Sequence, residues 1–168
     1  ELLETCGGFA ERFFAYGEDT ELGLRARLAG WHCRYVPEAV AWHVGSVTAG
    51  AYSRFKAYHV ERNRVWLVVR HFPLGLVVLN PVIAAARHVV QAWGVVRGRG
   101  ASARFHEQAR ARGLVGAALR SLVDGWLGVP RVLVERWRNR GERRVPVRAL
   151  YRWIRADGVT LRDIAWTD

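Results

Sequence analysis

Residues 7–43 read Gly-Gly-Phe-Ala-Glu-Arg-Phe-Phe-Ala-Tyr-Gly-Glu-Asp-Thr-Glu-Leu-Gly-Leu-Arg-Ala-Arg-Leu-Ala-Gly-Trp-His-Cys-Arg-Tyr-Val-Pro-Glu-Ala-Val-Ala-Trp-His. At the centre is Gly17-Glu18-Asp19-Thr20-Glu21-Leu22, where three acids fall within four positions. An aromatic cluster, Phe13, Phe14 and Tyr16, comes just before it. The pattern that follows, Leu22, Leu24, Arg25 and Leu28, predicts a helix over 20–29. The acids then sit in its first turn, where the positive end of the helix dipole favours negative charge. Gly30 is placed to end that helix as a C-cap. Beyond it, Gly30 to Pro37 reads as a turn and a short strand over 33–36. Residues 39–43 read as a second strand that ends in His43.

Taken alone, the acids are an N-terminal cap with no chemistry. Their neighbours allow more. A carboxylate beside three aromatics is partly desolvated, which raises its pKa toward the range of a general base. Phe13 and Phe14 read as core filling, and Tyr16, next to the acids, as a ring able to stack on a ligand. His43, outside any context, reads as a structural histidine.

The string from Gly7 to His43 resembles the C-terminal half of the catalytic domain of family 2 glycosyltransferases, the inverting GT-A type. Within that family it is most similar to the bacterial rhamnosyltransferase-like and galactofuranosyltransferase-like branch. The shared pattern is a Gly-Gly-Phe-Asp-Glu-Arg-Phe-Phe stretch, an acidic Glu-Asp-x-Asp/Glu-Leu motif, a Gly-aromatic turn and a Pro-x-Ala strand ending in His. The resemblance covers about residues 1–72, and it departs at Ala10, where the family has Asp. His59-Val60-Glu61-Arg62-Asn63 extends it, since the family commonly has Arg-Asn there.

The resemblance implies an α/β fold: the C-terminal portion of a GT-A, Rossmann-like domain over 1–72, followed by a mostly α-helical basic extension over 73–168. It implies Asp19 as the base that deprotonates the acceptor hydroxyl, with Glu18 as its partner. It implies His43 as a ligand to a divalent cation, Mg²⁺ or Mn²⁺, on the donor diphosphate. The donor would be a nucleotide-sugar, and the acceptor a cell-envelope or lipid-linked glycan. Arg62 is open between two roles, a contact to substrate phosphates and a pairing with Glu61 or a helix carbonyl. The family's Asp-x-Asp metal motif and a Gly-rich phosphate loop do not occur in this sequence. The chain is therefore expected to be a fragment, with the nucleotide-binding half upstream.

Charge is placed unevenly. Residues 1–86 carry 9 basic and 8 acidic side chains, and residues 87–168 carry 17 and 7, for a formal net charge of +11 over the whole chain. The apolar stretch 72–86 is too short to span a bilayer uninterrupted and contains Pro73, Asn80 and Pro81. A re-entrant or interfacial segment fits it, with Trp93 at headgroup level. A buried helix packed on the catalytic part fits it too. A helix is expected over 51–71, an amphipathic helix over 105–126, a second one to about Arg138, and a small amphipathic tail over 149–168. Arginines and tryptophans in these helices suit an anionic membrane surface, worth roughly 1 kcal/mol per basic residue near it. A groove-reading nucleic-acid motif is lacking, so nucleic acid is not expected as a partner. Cys6 and Cys33 form no disulfide framework and read as reduced thiols. The expected location is cytoplasmic, peripheral on the inner face of the membrane. The alternative to an enzyme is a non-catalytic, membrane-surface helical module with an incomplete catalytic domain.

Overall fold

The computed structural model describes residues 1–42, 53–97, 111–158 and 163. Its elements are α1 (Leu2–Cys6), a 3₁₀ turn (Glu11–Phe13), α2 (Glu18–Leu28), α3 (Arg54–His71), α4 (Leu74–Val96), α5 (Ala111–Leu127), α6 (Val129–Arg138), a second 3₁₀ turn (Asn139–Glu142) and α7 (Ala149–Asp157).

Among the described residues there is no strand and no sheet. The expected α/β class, a Rossmann-like portion followed by a helical extension, is therefore corrected to an all-helical arrangement. The error lies in residues 31–42, where two strands were expected. Tyr35 and Trp42 are fully exposed there, and the backbone bonds of the segment are local, from Ala39 N–H to Val36 O and from Val40 N–H to Glu38 O. Alternating apolar residues specify a strand only where a neighbour accepts its ladder and an apolar face has something to cover. Neither condition holds for this segment.

α3 is the central element, and α2, α4, α5 and α6 all pack on it. The core is Phe13, Val65, Trp66, Val69 and Val132, with Ala10, Leu67, Val77 and Val129 against it. Each fully buried aliphatic or aromatic side chain contributes about 1.5–3 kcal/mol. Phe13 meets Trp66 edge to face at 6.2 Å. Trp66 Nε1 donates to Gly125 O at 2.9 Å. Gly128 lies so close to the same indole that a Cβ there would stand 2.6 Å from Nε1, so the α5–α6 joint passes over Trp66 only because that residue is glycine.

Helix ends are closed by specific groups. Ser53 Oγ accepts the Lys56 N–H at 3.1 Å and starts α3. α2 ends as expected at Gly30, which has φ +93°. Trp31 N–H bonds Ala26 O at 3.0 Å and Gly30 N–H bonds Arg27 O at 3.2 Å, the Schellman pattern. The basic run after residue 135 supplies further caps. Arg136 Nη1 donates to Val69 O and Phe72 O, both at 2.7 Å. Arg143 Nη2 donates to Arg70 O at 2.7 Å. The Arg144 and Val145 amides both bond Leu28 O. These arginines satisfy carbonyls that a helix C-terminus leaves orphaned.

α4 is a single helix that runs through Pro81. Its Leu74–Gly94 window has a mean hydropathy of 1.4 and is only 11% buried, so by length and composition it is able to cross a membrane. Its polar residues turn inward. Arg64 Nη1 donates to Asn80 Oδ1 at 2.7 Å, and Arg87 Nη2 donates to Glu61 Oε1 at 2.6 Å.

Candidate functional site

The candidate site forms where the loop 9–16 meets the start of α2 and the first half of α3. The loop is strained. Phe14 has φ +62° and ψ −60°, and Ala15 N–H bonds Phe13 O at 2.7 Å across it. That is a γ-turn of the disfavoured hand. Tyr16 follows with φ +65°, and Gly17 with φ +89°. A non-glycine residue in the left-handed region costs on the order of 1 kcal/mol and persists where its surroundings fix it.

Asn63 does the fixing. It is buried, and its Nδ2 donates to Phe13 O at 2.8 Å, Ala15 O at 2.9 Å and Tyr16 O at 2.7 Å. Arg62 supports it. Arg62 Nε and Nη2 donate to Asn63 Oδ1 at 3.1 and 3.0 Å, and Nη2 also reaches Phe13 O at 3.2 Å. The Arg62 guanidinium stacks 4.4 Å from the Trp66 ring and 5.2 Å from Tyr58. Of the two roles open to Arg62 in the sequence, its visible contacts are of the carbonyl-binding kind. Glu61 takes Arg87 and Arg64 instead.

The three acids separate in space. Asp19 is exposed, and its Oδ1 accepts the Thr20 N–H at 2.6 Å. No cation neutralises it among the described residues. Glu18 is half-buried at the first helical position, and its Oε2 has no hydrogen-bond partner among the described residues. Glu21 is fully buried. It meets His71 Nε2 at 2.9 Å, Arg25 Nη2 at 2.9 Å and Arg70 Nε at 3.4 Å. Burial pushes the Glu21 carboxyl up, but the His71 hydrogen bond and the Arg70 and Arg25 charges outweigh it and hold it below the usual range. Burial keeps His71 neutral, its pKa below the ordinary value despite Glu21, with Nε2–H as donor. Arg25 also bonds Cys6 O and Gly8 O, so it ties the Gly7-Gly8 turn to α2.

Rings cluster beside the acidic turn. Phe14 is 73% exposed, unlike Phe13, so its expected core role is corrected. It meets Phe55 at 6.3 Å and His59 at 5.7 Å. Tyr16 meets Phe55 at 6.3 Å, with Lys56 Nζ 5.7 Å over its ring. His59 donates Nδ1–H to Phe55 O at 2.9 Å. Phe55 and Tyr58 also line an open groove of about 620 Å³ between α3 and α5, with Arg54, Arg120, Gly113, Gly116 and Ala117. Tyr58 Oη donates to Asp124 Oδ2 at 2.6 Å beside it.

Of the residues singled out in the sequence, Asp19, Glu18 and Tyr16 lie on one continuous turn, and Arg62 reaches it through Asn63 and Phe13. His43 lies outside the described residues. Among those residues no three His, Cys, Asp or Glu side chains converge on a point where a metal ion could sit. Sequence reasoning missed Asn63 and Glu21 as working parts. The Arg-Asn pair was visible, but nothing in the spacing says that Asn63 reaches back 47 positions to Tyr16.

Comparison with known proteins adds a short local match. The chain is 41% identical over 66 residues to an N-acetylglucosaminyl-diphospho-decaprenol L-rhamnosyltransferase of Mycobacterium tuberculosis, in strains CDC 1551 / Oshkosh and ATCC 25618 / H37Rv. The match takes in 39% of this chain and 22% of the relative. The stretch is glycosyltransferase-like. The chain spans about a fifth of the length of these curated relatives. No family model matches the chain, and no solved structure matches it.

Proposed function

We propose that the chain belongs to an inverting, family 2-type glycosyltransferase and carries its acceptor side. The sugar, rhamnose in this proposal, passes from a nucleotide-sugar donor to a lipid-linked or cell-envelope glycan acceptor. The observation that carries the proposal is the Asn63-held loop, which bears Phe14 and Tyr16 and leads directly into the first turn of α2, where Asp19 is exposed to solvent. Similarity to a rhamnosyltransferase whose name specifies a diphospho-decaprenol acceptor supports the same class.

The acceptor oxygen attacks the anomeric carbon from the face opposite the diphosphate. The new C–O bond forms as the bond to phosphate breaks, and Asp19 takes the hydroxyl proton. Glu18 orients Asp19 or the acceptor. Tyr16 stacks on a sugar ring, and Arg62 contributes charge toward substrate phosphate while it holds the loop. A divalent cation, magnesium or manganese, held with the help of His43, would neutralise the leaving diphosphate. The proposed location is the cytoplasmic face of the membrane, where basic residues after position 87 meet anionic lipid.

The test is transfer of labelled rhamnose from a nucleoside-diphosphate donor to a polyprenyl-diphosphate-N-acetylglucosamine by the complete gene product. Anomeric inversion is read by NMR. Product with retained configuration, or no product from any of a panel of nucleotide-sugars, contradicts the proposal.

A further inference from the structure

α4 is built inside out. At 100° per residue, Leu74, Val78, Val82, Val89, Trp93 and Val96 fall on one arc of about 100°. All six are exposed, Val78 at 77% and Val96 at 83%. No charged residue lies on that arc. The opposite face holds Asn80 and Arg87, and these are the residues that bond α3. A helix folding in water alone turns its apolar stripe to the core and its polar stripe out. Here the arrangement is reversed over 23 residues.

We infer that α4 lies in the plane of a lipid bilayer interface, with the Leu74–Val96 stripe in the acyl region and the body of the protein on the water side. This rests on the proposal that a membrane surface is a partner. It moves the principal contact from the basic residues to α4. The Arg64–Asn80 and Arg87–Glu61 bonds exclude a spanning pose, because such a pose carries Glu61 and Arg64 of α3 into hydrocarbon. The end of the stripe suits a headgroup layer, since the Arg97 guanidinium sits 4.6 Å from the Trp93 ring. A second copy is a poor occupant, because a chain of net charge +11 repels itself, while the same charge attracts anionic lipid.

The test is flotation of the 168-residue chain with phosphatidylcholine vesicles and with vesicles that also contain phosphatidylglycerol, at low and at molar salt. The expected result is binding to both, tighter to the anionic vesicles, with part of it kept in molar salt. V78E/V82E changes two solvent-facing positions, so circular dichroism should be unchanged while partitioning falls at least about tenfold on both vesicle types. Nitroxides attached through L74C, V82C and V96C, in a C33S background, should report equal shallow depths. Four results overturn the inference. If V78E/V82E binds like wild type while R138Q/R140Q/R144Q/R148Q does not bind, the membrane partner stands and the role of α4 falls. If V82C sits at mid-bilayer, the helix spans. If the lipid-free chain is a dimer that V78E/V82E dissociates, the stripe belongs to a second copy. Failure to bind either vesicle removes the membrane partner altogether.

Discussion

Asn63 Nδ2 donates to the backbone carbonyl of Tyr16 at 2.7 Å, and Tyr16 stands at φ +65°. One amide thus holds in place the residue that leads into the acidic turn. Asn63→Ala removes the donor to three carbonyls at once and leaves a strained loop without support. The expected loss is about 2–4 kcal/mol, read by urea unfolding. Asn63→Asp should do no better, because a carboxylate offers those carbonyls no hydrogen. If both variants unfold within about 0.5 kcal/mol of wild type, the loop is held by something else.

Glu21 is the buried anion that faces Arg25, Arg70 and His71. Glu21→Gln keeps the shape but leaves buried Arg25 without a counter-charge and Arg70 with Glu135 alone, 3.3 Å from its Nη1. The expected cost is about 3–5 kcal/mol. Glu21→Gln combined with Arg70→Met should recover part of it, because one of the two buried guanidinium groups that faced Glu21 is then removed while Glu135 keeps Arg12. A double-mutant cycle on Glu21 and Arg70 measures the coupling.

Acid should destabilise this same cluster. His71 and Glu21 both have folded pKa values below their ordinary 6.5 and 4.5. Each therefore binds fewer protons when folded. Each contribution is complete above the unfolded value and is lost as the pH falls through the folded one. Melting temperature should hold near neutral pH, begin to fall below about pH 6.5 as His71 is driven to protonate, and fall further below about pH 4.5 with Glu21. Replacing His71 with Asn should make the first part of that decline shallower, the rest belonging to His59 and His88, whose pKa values burial also lowers, and should leave the second. A profile that rises on acidification would contradict the assignment of His71 as neutral.

Much of the helical layout was legible. The acids in the first turn of α2, Gly30 at its end, and the helix ending at His71 follow from spacing and capping rules that act over a few residues. No sheet forms among the described residues. Val40, Ala41 and Trp42 carry a strand-like pattern, but a strand is a property of two segments, and a pattern in one segment cannot show whether the other exists. α4 was harder in another way. Hydropathy marked 72–86 as apolar, yet Pro81 and Asn80 argued against a long helix. Pro81 stays on the exposed side, and Asn80 is satisfied by Arg64, a contact 16 positions away that no local rule predicts. The basic run was visible as charge, but the use of Arg136 and Arg143 as caps for α3 depends on the packing of α6 against it.

The most direct test is Asp19→Asn in the complete gene product. Asp19 is solvent-facing, and its visible contacts are to Thr20, so the substitution should leave the melting curve in place. If Asp19 is the base, kcat for sugar transfer should fall on the order of 10²- to 10⁴-fold, and KM for the donor should change little. A variant that transfers sugar within a few-fold of the wild-type rate would show that the acidic turn is a helix cap and that the chemistry lies elsewhere.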